Sequence, residues 1–127
     1  MKTKTKIAEA ALALFNEQGT AAVSTNHIAE AAGISPGNLY YHFRSKDEII
    51  RALFDQLSAS WDAAFALDGG MPGLADLERM VRANFEVMWR FRFFYRELIV
   101  LLRRDQGLRE NFAAIRRRGL ADFALLV

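Results

Sequence analysis

The side chains with the most chemistry to offer are concentrated in one ten-residue stretch, residues 34–43. It reads Ile-Ser-Pro-Gly-Asn-Leu-Tyr-Tyr-His-Phe and so combines an amide, two phenols and an imidazole. An amide can pair bidentately with the edge of adenine, and hydroxyl-bearing side chains can contact phosphate. On a helix Leu39 and Phe43 share one face, because they are spaced i, i+4, and they leave Asn38 and Tyr41 on the other. The stretch predicts a short helix with an apolar anchoring side and a polar hydrogen-bonding side.

Patterns for catalysis and for metal binding are missing from the sequence. The chain has no cysteine, and its only two histidines, His27 and His42, have no metal-ligand spacing with a carboxylate. It also lacks G-x-S-x-G and the glycine pattern of a P-loop. We therefore predict a protein that is not an enzyme and uses no cofactor.

The composition is that of a soluble globular protein. Of the 127 residues, 52% are hydrophobic and 25% are charged, with a net charge of +2. The longest aliphatic run, Leu98 to Leu102, is far shorter than the roughly 20 residues of a membrane span. The basic first residues are followed by a stretch that contains Glu9 and has no cleavage-like end, so we predict no signal peptide. We expect a cytoplasmic protein that does not associate with membranes.

Helical periodicity runs through the whole chain, so the predicted fold class is all-α. A first helix is marked by apolar residues on one face and ends at Gly19; these residues are Ile7, Ala11, Leu14 and Phe15. Ser24 is the predicted N-cap of a second helix that ends at Ala32, before a left-handed Gly33. Ser35 and Pro36 open a third helix that extends to about Phe43.

The second half begins with a capping box, Ser45-Lys46-Asp47-Glu48, which opens a long fourth helix. A glycine-rich linker at residues 68–73 follows it. Three further helices are predicted from the apolar residues over 77–88, 94–102 and 108–126. The stretch at residues 120–127 is apolar and lacks a C-cap, so we expect the chain to be incomplete there or to pair with a second copy.

Two short helices joined by a glycine-containing turn form a helix-turn-helix signature. Around it, the chain resembles the DNA-binding domain of the TetR family of bacterial transcriptional regulators. The residues that carry this resemblance are Phe15, Gly19, Val23-Ser24-Thr25, Ile28-Ala29, Ala32-Gly33-Ile34-Ser35, Leu39-Tyr40-Tyr41-His42-Phe43, Lys46 and Ile49-Ile50. Residues 34–43 are also similar to members that regulate polyhydroxyalkanoate and fatty-acid metabolism.

The resemblance implies a domain organisation. A three-helix helix-turn-helix DNA-binding domain is expected at residues 1–46. A helical effector-binding and dimerisation domain is expected at residues 47–127, truncated at its C-terminus and entered by a linking helix at about 46–66. It further implies a homodimer on double-stranded DNA with a palindromic operator.

Individual DNA contacts also follow from the resemblance. It assigns base-edge contacts to Pro36, Gly37, Asn38 and Tyr41. It assigns phosphate contacts to Thr25, Asn26, Tyr40, His42 and Lys46, and Ser35 lies at a helix N-terminus, where a backbone contact to phosphate is expected. Gly37 departs from the larger side chains of many members, so base reading at that position is expected to be weak.

An effector pocket for a small apolar or amphipathic compound is the second predicted site. Its candidate residues are Trp61, Phe65, Phe85, Met88, Trp89, Phe94 and Leu98. Aromatic and methionine side chains at helical spacing are also what an ordinary core contains, and that interpretation stays open. The predicted function is a ligand-responsive, sequence-specific DNA-binding transcriptional regulator, a repressor released by its effector. The alternatives are activation, and a helical small-molecule-binding or protein-interaction module that does not read DNA.

Overall fold

The computed structural model describes residues 2–66 and 73–126, with side chains up to residue 117. Over these residues it contains helices and no strand, which confirms the predicted all-α class. The helices are α1 (Thr3–Gln18), α2 (Thr25–Ala32), α3 (Pro36–His42), α4 (Lys46–Ala64), α5 (Leu74–Arg90), α6 (Arg92–Arg96), α7 (Leu98–Arg104) and α8 (Gln106–Leu126). Among the described residues, no helix has the length and apolar character needed to cross a bilayer. Linker residues 68–72 and the side chains of the apolar stretch at 120–127 lie outside the described residues.

The predicted ends of the first three helices are confirmed. Gly19 follows α1, and Gly33 ends α2 in the left-handed conformation, with φ 72° and ψ 32°. At the other ends, the Ser24 hydroxyl accepts the backbone N–H of His27 at 3.1 Å, and the Ser35 hydroxyl accepts that of Asn38 at 3.0 Å. These caps satisfy N–H groups that have no partner inside the helix.

The capping box at the start of α4 forms in a modified way. The Ser45 hydroxyl accepts the backbone N–H of Glu48 at 3.2 Å, as predicted. The Glu48 carboxylate accepts the N–H of Arg44 at 2.6 Å, one residue earlier than a capping box requires. The carboxylate therefore connects α4 to the turn that follows α3.

The core follows the predicted apolar positions of the first three helices with one exception, and those of the fourth helix only as far as Leu57. On α1 the buried positions include Leu12, whereas Leu14, which the pattern placed inside, is only half-buried. The buried face of α1 is formed by Ile7, Ala8, Ala11, Leu12 and Phe15, and Leu14 is not part of it. On α4 the apolar positions are buried from Ile49 to Leu57, but the stripe predicted to continue through Trp61 to Phe65 does not, because Trp61 is half-buried and Phe65 is exposed.

The chain divides into two compact units, Met1–Arg96 and Glu97–Val127. The first contains α1 to α6, and in it α4 packs against both α1 and α5. The predicted boundary at residue 46, between a DNA-binding and an effector-binding domain, lies inside the first of these units and stays a prediction. In the second unit, α7 packs against α8.

The prediction of one helix over residues 94–102 is wrong, because α6 and α7 are separate helices. The residue between them, Glu97, has φ −108° and ψ 13°, outside helical geometry. Neither glycine nor proline marks the break. The described residues therefore form eight helices where the periodicity predicted seven.

An aromatic cluster forms the second part of the core of the first unit. Phe54, Phe93 and Phe94 are fully buried, and the ring centres of Phe54 and Phe94 lie 5.1 Å apart. Phe93 also packs against Phe15 of α1, with ring centres 5.3 Å apart. By contrast, α5 has no buried residue. The cluster joins α1, α4 and α6 directly.

Candidate nucleic-acid interface

Helix α3 has the two-sided character that its sequence predicts. Leu39 is 2% exposed and Phe43, at its end, is also buried. On the opposite side Tyr41 is 79% exposed, and Asn38 is exposed as well. The apolar side chains hold the helix on the core, so its polar side faces outward.

The turn before α3 is defined by backbone hydrogen bonds. The N–H of Gly33 donates to the carbonyl of Glu30 at 3.1 Å, and that of Ile34 donates to the carbonyl of Ala29 at 3.0 Å. This pairing needs the left-handed residue that glycine provides at position 33. Because α2 packs against α3, the turn fixes the direction in which α3 leaves the core.

The predicted contact residues of α3 lie on one exposed surface. Pro36, Gly37, Asn38, Tyr40 and Tyr41 are exposed, together with the cap Ser35, and His42 is half-buried. The His42 ring meets the Tyr41 ring edge-on, with centres 5.2 Å apart. At the start of α2, Asn26 is exposed and Thr25 is half-buried. Each of these residues is at least partly exposed to solvent and can therefore be reached by a DNA duplex.

Two basic residues lie beside this surface: Arg44, which sequence reasoning missed, and Lys4, one of the N-terminal lysines that the sequence offers as a basic arm able to reach phosphate. The guanidinium of Arg44 lies 5.2 Å from the centre of the Tyr40 ring, and the ammonium of Lys4 lies 5.1 Å from that of Phe43. Both charges are held near the end of α3 by contact with aromatic rings. The signal available in the sequence was a basic residue directly after the predicted helix.

Lys46 makes contacts that the sequence did not predict. Its ammonium donates to the backbone carbonyl of Thr20 at 2.7 Å and to that of Val23 at 3.0 Å. Lys46 is the first residue of α4, and the two carbonyls belong to the turn between α1 and α2. We call this contact the Lys46 bridge. It uses two of the three N–H groups of the ammonium.

The predicted effector residues are not brought together as one group. Trp61 and Phe94 belong to the aromatic cluster, where both rings pack on Phe54. Phe65, Phe85, Met88 and Trp89 are exposed, and Leu98 lies in the second unit. A shallow depression on α5 is lined partly by charged side chains: Ala75, Glu78, Arg79, Arg82, Ala83 and Glu86. This depression contains none of the predicted pocket residues.

A hydrogen bond beside the aromatic cluster affects the pKa of Tyr95. The indole N–H of Trp61, on α4, donates to the Tyr95 hydroxyl at 3.0 Å. Burial raises the pKa of Tyr95 above its ordinary value, and the hydrogen bond from Trp61 offsets part of that rise. The contact therefore connects α4 to α6 through a polar group within an aromatic environment.

In α1 to α3, the second helix of the helix-turn-helix, α3, is short and presents a polar side to solvent. This is the arrangement of helix-turn-helix DNA-binding proteins. The comparison with known families is specific. The sequence profile described as "Bacterial regulatory proteins, tetR family" matches residues 7–53, and "Bacterial transcriptional repressor" of the TetR type matches residues 45–127. The chain belongs to the TetR family, which confirms the predicted family.

Individual relatives agree with this assignment. The HTH-type transcriptional repressor KstR2 of Rhodococcus jostii is 37% identical over 89 residues, which are 67% of this chain and 43% of the relative. The HTH-type transcriptional regulator TtgR of Pseudomonas putida is 39% identical over 61 residues, 48% of this chain and 29% of the relative. The chain thus matches less than half the length of these two proteins.

A solved structure extends the similarity to the whole chain. A TetR-family transcriptional regulator from Marinobacter aquaeolei superimposes with a TM-score of 0.92 at 38% identity. The alignment covers 99% of this chain and 63% of that protein. The fold of the chain is therefore similar to that of this TetR-family regulator.

Proposed function

We propose that the protein is a ligand-responsive, sequence-specific DNA-binding transcriptional regulator, a repressor that acts as a homodimer in the bacterial cytoplasm. The observation that carries this proposal is α3, which is anchored by Leu39 and Phe43 and turns Asn38 and Tyr41 toward solvent. A helix of this size fits the major groove of B-DNA. The relatives, which are named as repressors and regulators, support the same function.

In this proposal Asn38 reads sequence directly. Its backbone N–H is already used by the Ser35 cap, so the side-chain amide is the group available to a base. Pro36, Gly37 and Tyr41 approach neighbouring base edges, and Gly37 adds backbone rather than a side chain. The proposed phosphate contacts come from Thr25, Asn26, Ser35, Tyr40, His42 and Lys46, to which the structure adds Arg44.

Regulation is proposed to reach α3 through α4. This helix begins at the Lys46 bridge and extends to Trp61, which donates to Tyr95. A small apolar or amphipathic effector that binds one orientation of α4 better than another would shift the population of the DNA-binding state. In a dimer on a palindromic operator, a tilt of α4 would change the spacing of the two recognition helices.

A salt titration tests the DNA-binding function. A duplex enriched by the full chain from a random-sequence pool is bound at a series of salt concentrations. A dimer that neutralises two phosphates per half-site, through Arg44 and Lys46, gives a slope of log Kobs against log salt of about −3.6. A slope near zero with every duplex would refute the proposal and favour a helical small-molecule-binding or protein-interaction module.

A further inference from the structure

A buried polar side chain connects α1 to the junction between α5 and α6. Asn16, near the end of α1, is only 7% exposed. Its amide nitrogen donates to the backbone carbonyl of Arg90 at 2.8 Å, and its amide oxygen accepts the backbone N–H of Phe93 at 3.0 Å. Arg90 is the last residue of α5 and Phe93 is in the first turn of α6. One side chain thus bonds to both sides of the junction.

Three further contacts reinforce this connection. The guanidinium of Arg96 donates to the backbone carbonyl of Asn16 at 2.7 Å, close to the end of α1. Arg90 pairs with Glu9 of α1 at 3.0 Å, with both side chains about half exposed. The rings of Phe15 and Phe93 pack beside the buried amide. We call the set formed by Asn16, Arg90, Phe93 and Arg96 the Asn16 junction.

The geometry makes the Asn16 junction sensitive to the relative position of α5 and α6. The amide has one donor side and one acceptor side in a fixed plane, so both bonds form only while Arg90 and Phe93 keep their spacing. A rotation of either helix would leave a buried polar group without its partner, which is unfavourable. The junction therefore favours one arrangement of the two helices relative to α1.

We infer that Asn16 is a positioning residue that couples the α5–α6 junction to the DNA-binding helices through α1, in addition to the contacts that pass through α4. This inference rests on the proposed DNA-binding function and assigns a second path for its regulation. A conformational change that separates the end of α5 from α6 would reach α1, and α1 packs against α2. Such coupling is reciprocal, so DNA bound at α3 stabilises the junction in return.

Amide hydrogen exchange of the full chain, free and bound to its enriched duplex, tests the inference without an identified effector. We expect DNA to slow exchange over residues 25–43, which reports binding itself, and over residues 87–96 by at least about fivefold, the lower end of typical coupling. In Asn16→Ala, the slowing over 25–43 should persist while the slowing over 87–96 falls below about twofold. Ser58→Ala is the matched control, because its hydroxyl donates to a carbonyl of its own helix, α4.

Each outcome has a distinct meaning. If DNA does not slow amide exchange over residues 25–43 in the unmodified chain, the protein does not bind DNA there. The junction would then have no DNA-binding function to regulate. Slowing over 25–43 without slowing over 87–96, or full slowing over 87–96 in Asn16→Ala, would overturn the inference. If Asn16→Ala does not fold, Arg96→Met decides in its place, since Arg96 is exposed and bonds to the same end of α1. It should show the same selective loss, and full retention would overturn the coupling.

Discussion

The Lys46 bridge leads to a prediction that separates structural from DNA-contacting roles of one lysine. Replacing Lys46 with Met keeps most of the apolar stem and removes the ammonium that bonds to Thr20 and Val23 at 2.7 and 3.0 Å. The turn between α1 and α2 would then lose its connection to the first residue of α4. Because Ser24 caps α2 directly after that turn, the start of the helix-turn-helix would become less well held.

The magnitude follows from the kind of bond that is lost. A hydrogen bond from a charged group contributes about 1.5–3 kcal/mol, and the half-buried position of Lys46 favours the lower part of that range for the pair. A change of 1 kcal/mol shifts the melting temperature of a domain of this size by roughly 4–8 °C. We therefore expect Lys46→Met to lower the free energy of unfolding by about 1.5–2 kcal/mol and the melting temperature by roughly 6–16 °C.

Chemical denaturation and thermal melting, followed by circular dichroism, measure this change. Lys6→Met is the control: Lys6 is an exposed lysine of α1, and a surface substitution should stay within about 0.5 kcal/mol. The salt slope on the enriched duplex then examines the proposed phosphate contact, whose loss reduces the slope by about 0.9 for each half-site. If Lys46→Met were as stable as Lys6→Met, the two short hydrogen bonds would have no energetic role and the reasoning would be refuted.

Three further predictions use other parts of the same unit. Asn38→Ala should relax preference at one base position by about 1–3 kcal/mol with an unchanged salt slope; a uniform loss across sequences, measured on single-base variants of the duplex, would contradict base reading. Gly33→Ala should destabilise by about 1–2 kcal/mol in denaturant, because φ is +72° while open space surrounds the added methyl group. Stability from the raised pKa of Tyr95 is present below pH about 10 and is lost as pH rises through the folded value, so Tyr95→Phe should lose less stability on alkaline titration; equal losses would contradict this.

The helix-turn-helix could be predicted from the sequence because its signals are local. Serine caps at positions 24 and 35, and a glycine at the left-handed end of α2, act within three residues of where they stand. The division of α3 into an anchored and an exposed side depends only on helical spacing. Such features need no knowledge of distant parts of the chain.

The polar contacts between helices could not be predicted in the same way. Lys46 bonds to carbonyls 26 and 23 residues away, and Asn16 bonds to groups 74 and 77 residues away. Their partners are backbone groups, which every residue has and which leave no mark in the sequence. For Lys46, the resemblance supplied a phosphate contact, and only the fold showed that two of its donors are engaged inside the protein.

The large aromatic side chains illustrate a different difficulty. The sequence left open whether they line a pocket or fill a core, and several are used as core, with Phe15, Phe54, Phe93 and Phe94 in contact through their rings. Others, such as Phe85 and Trp89, are exposed on α5. Helical spacing identifies a face but does not identify what covers it, so the effector pocket stays a prediction.

The Lys46 bridge and the Asn16 junction have a common feature that bears on how such a regulator can change. Both act on α1 or on the turn after it, and in both the group on that side includes backbone carbonyls: those of Thr20 and Val23 for Lys46, and that of Asn16 for Arg96. A substitution cannot remove a backbone carbonyl, whereas it can remove the side-chain donor opposite. The strength of each connection is therefore set by side chains outside α3: Lys46 of α4 for the bridge, and Asn16 of α1 with Arg96 of α6 for the junction. The response can change at these positions while the DNA-facing residues of α3 stay the same.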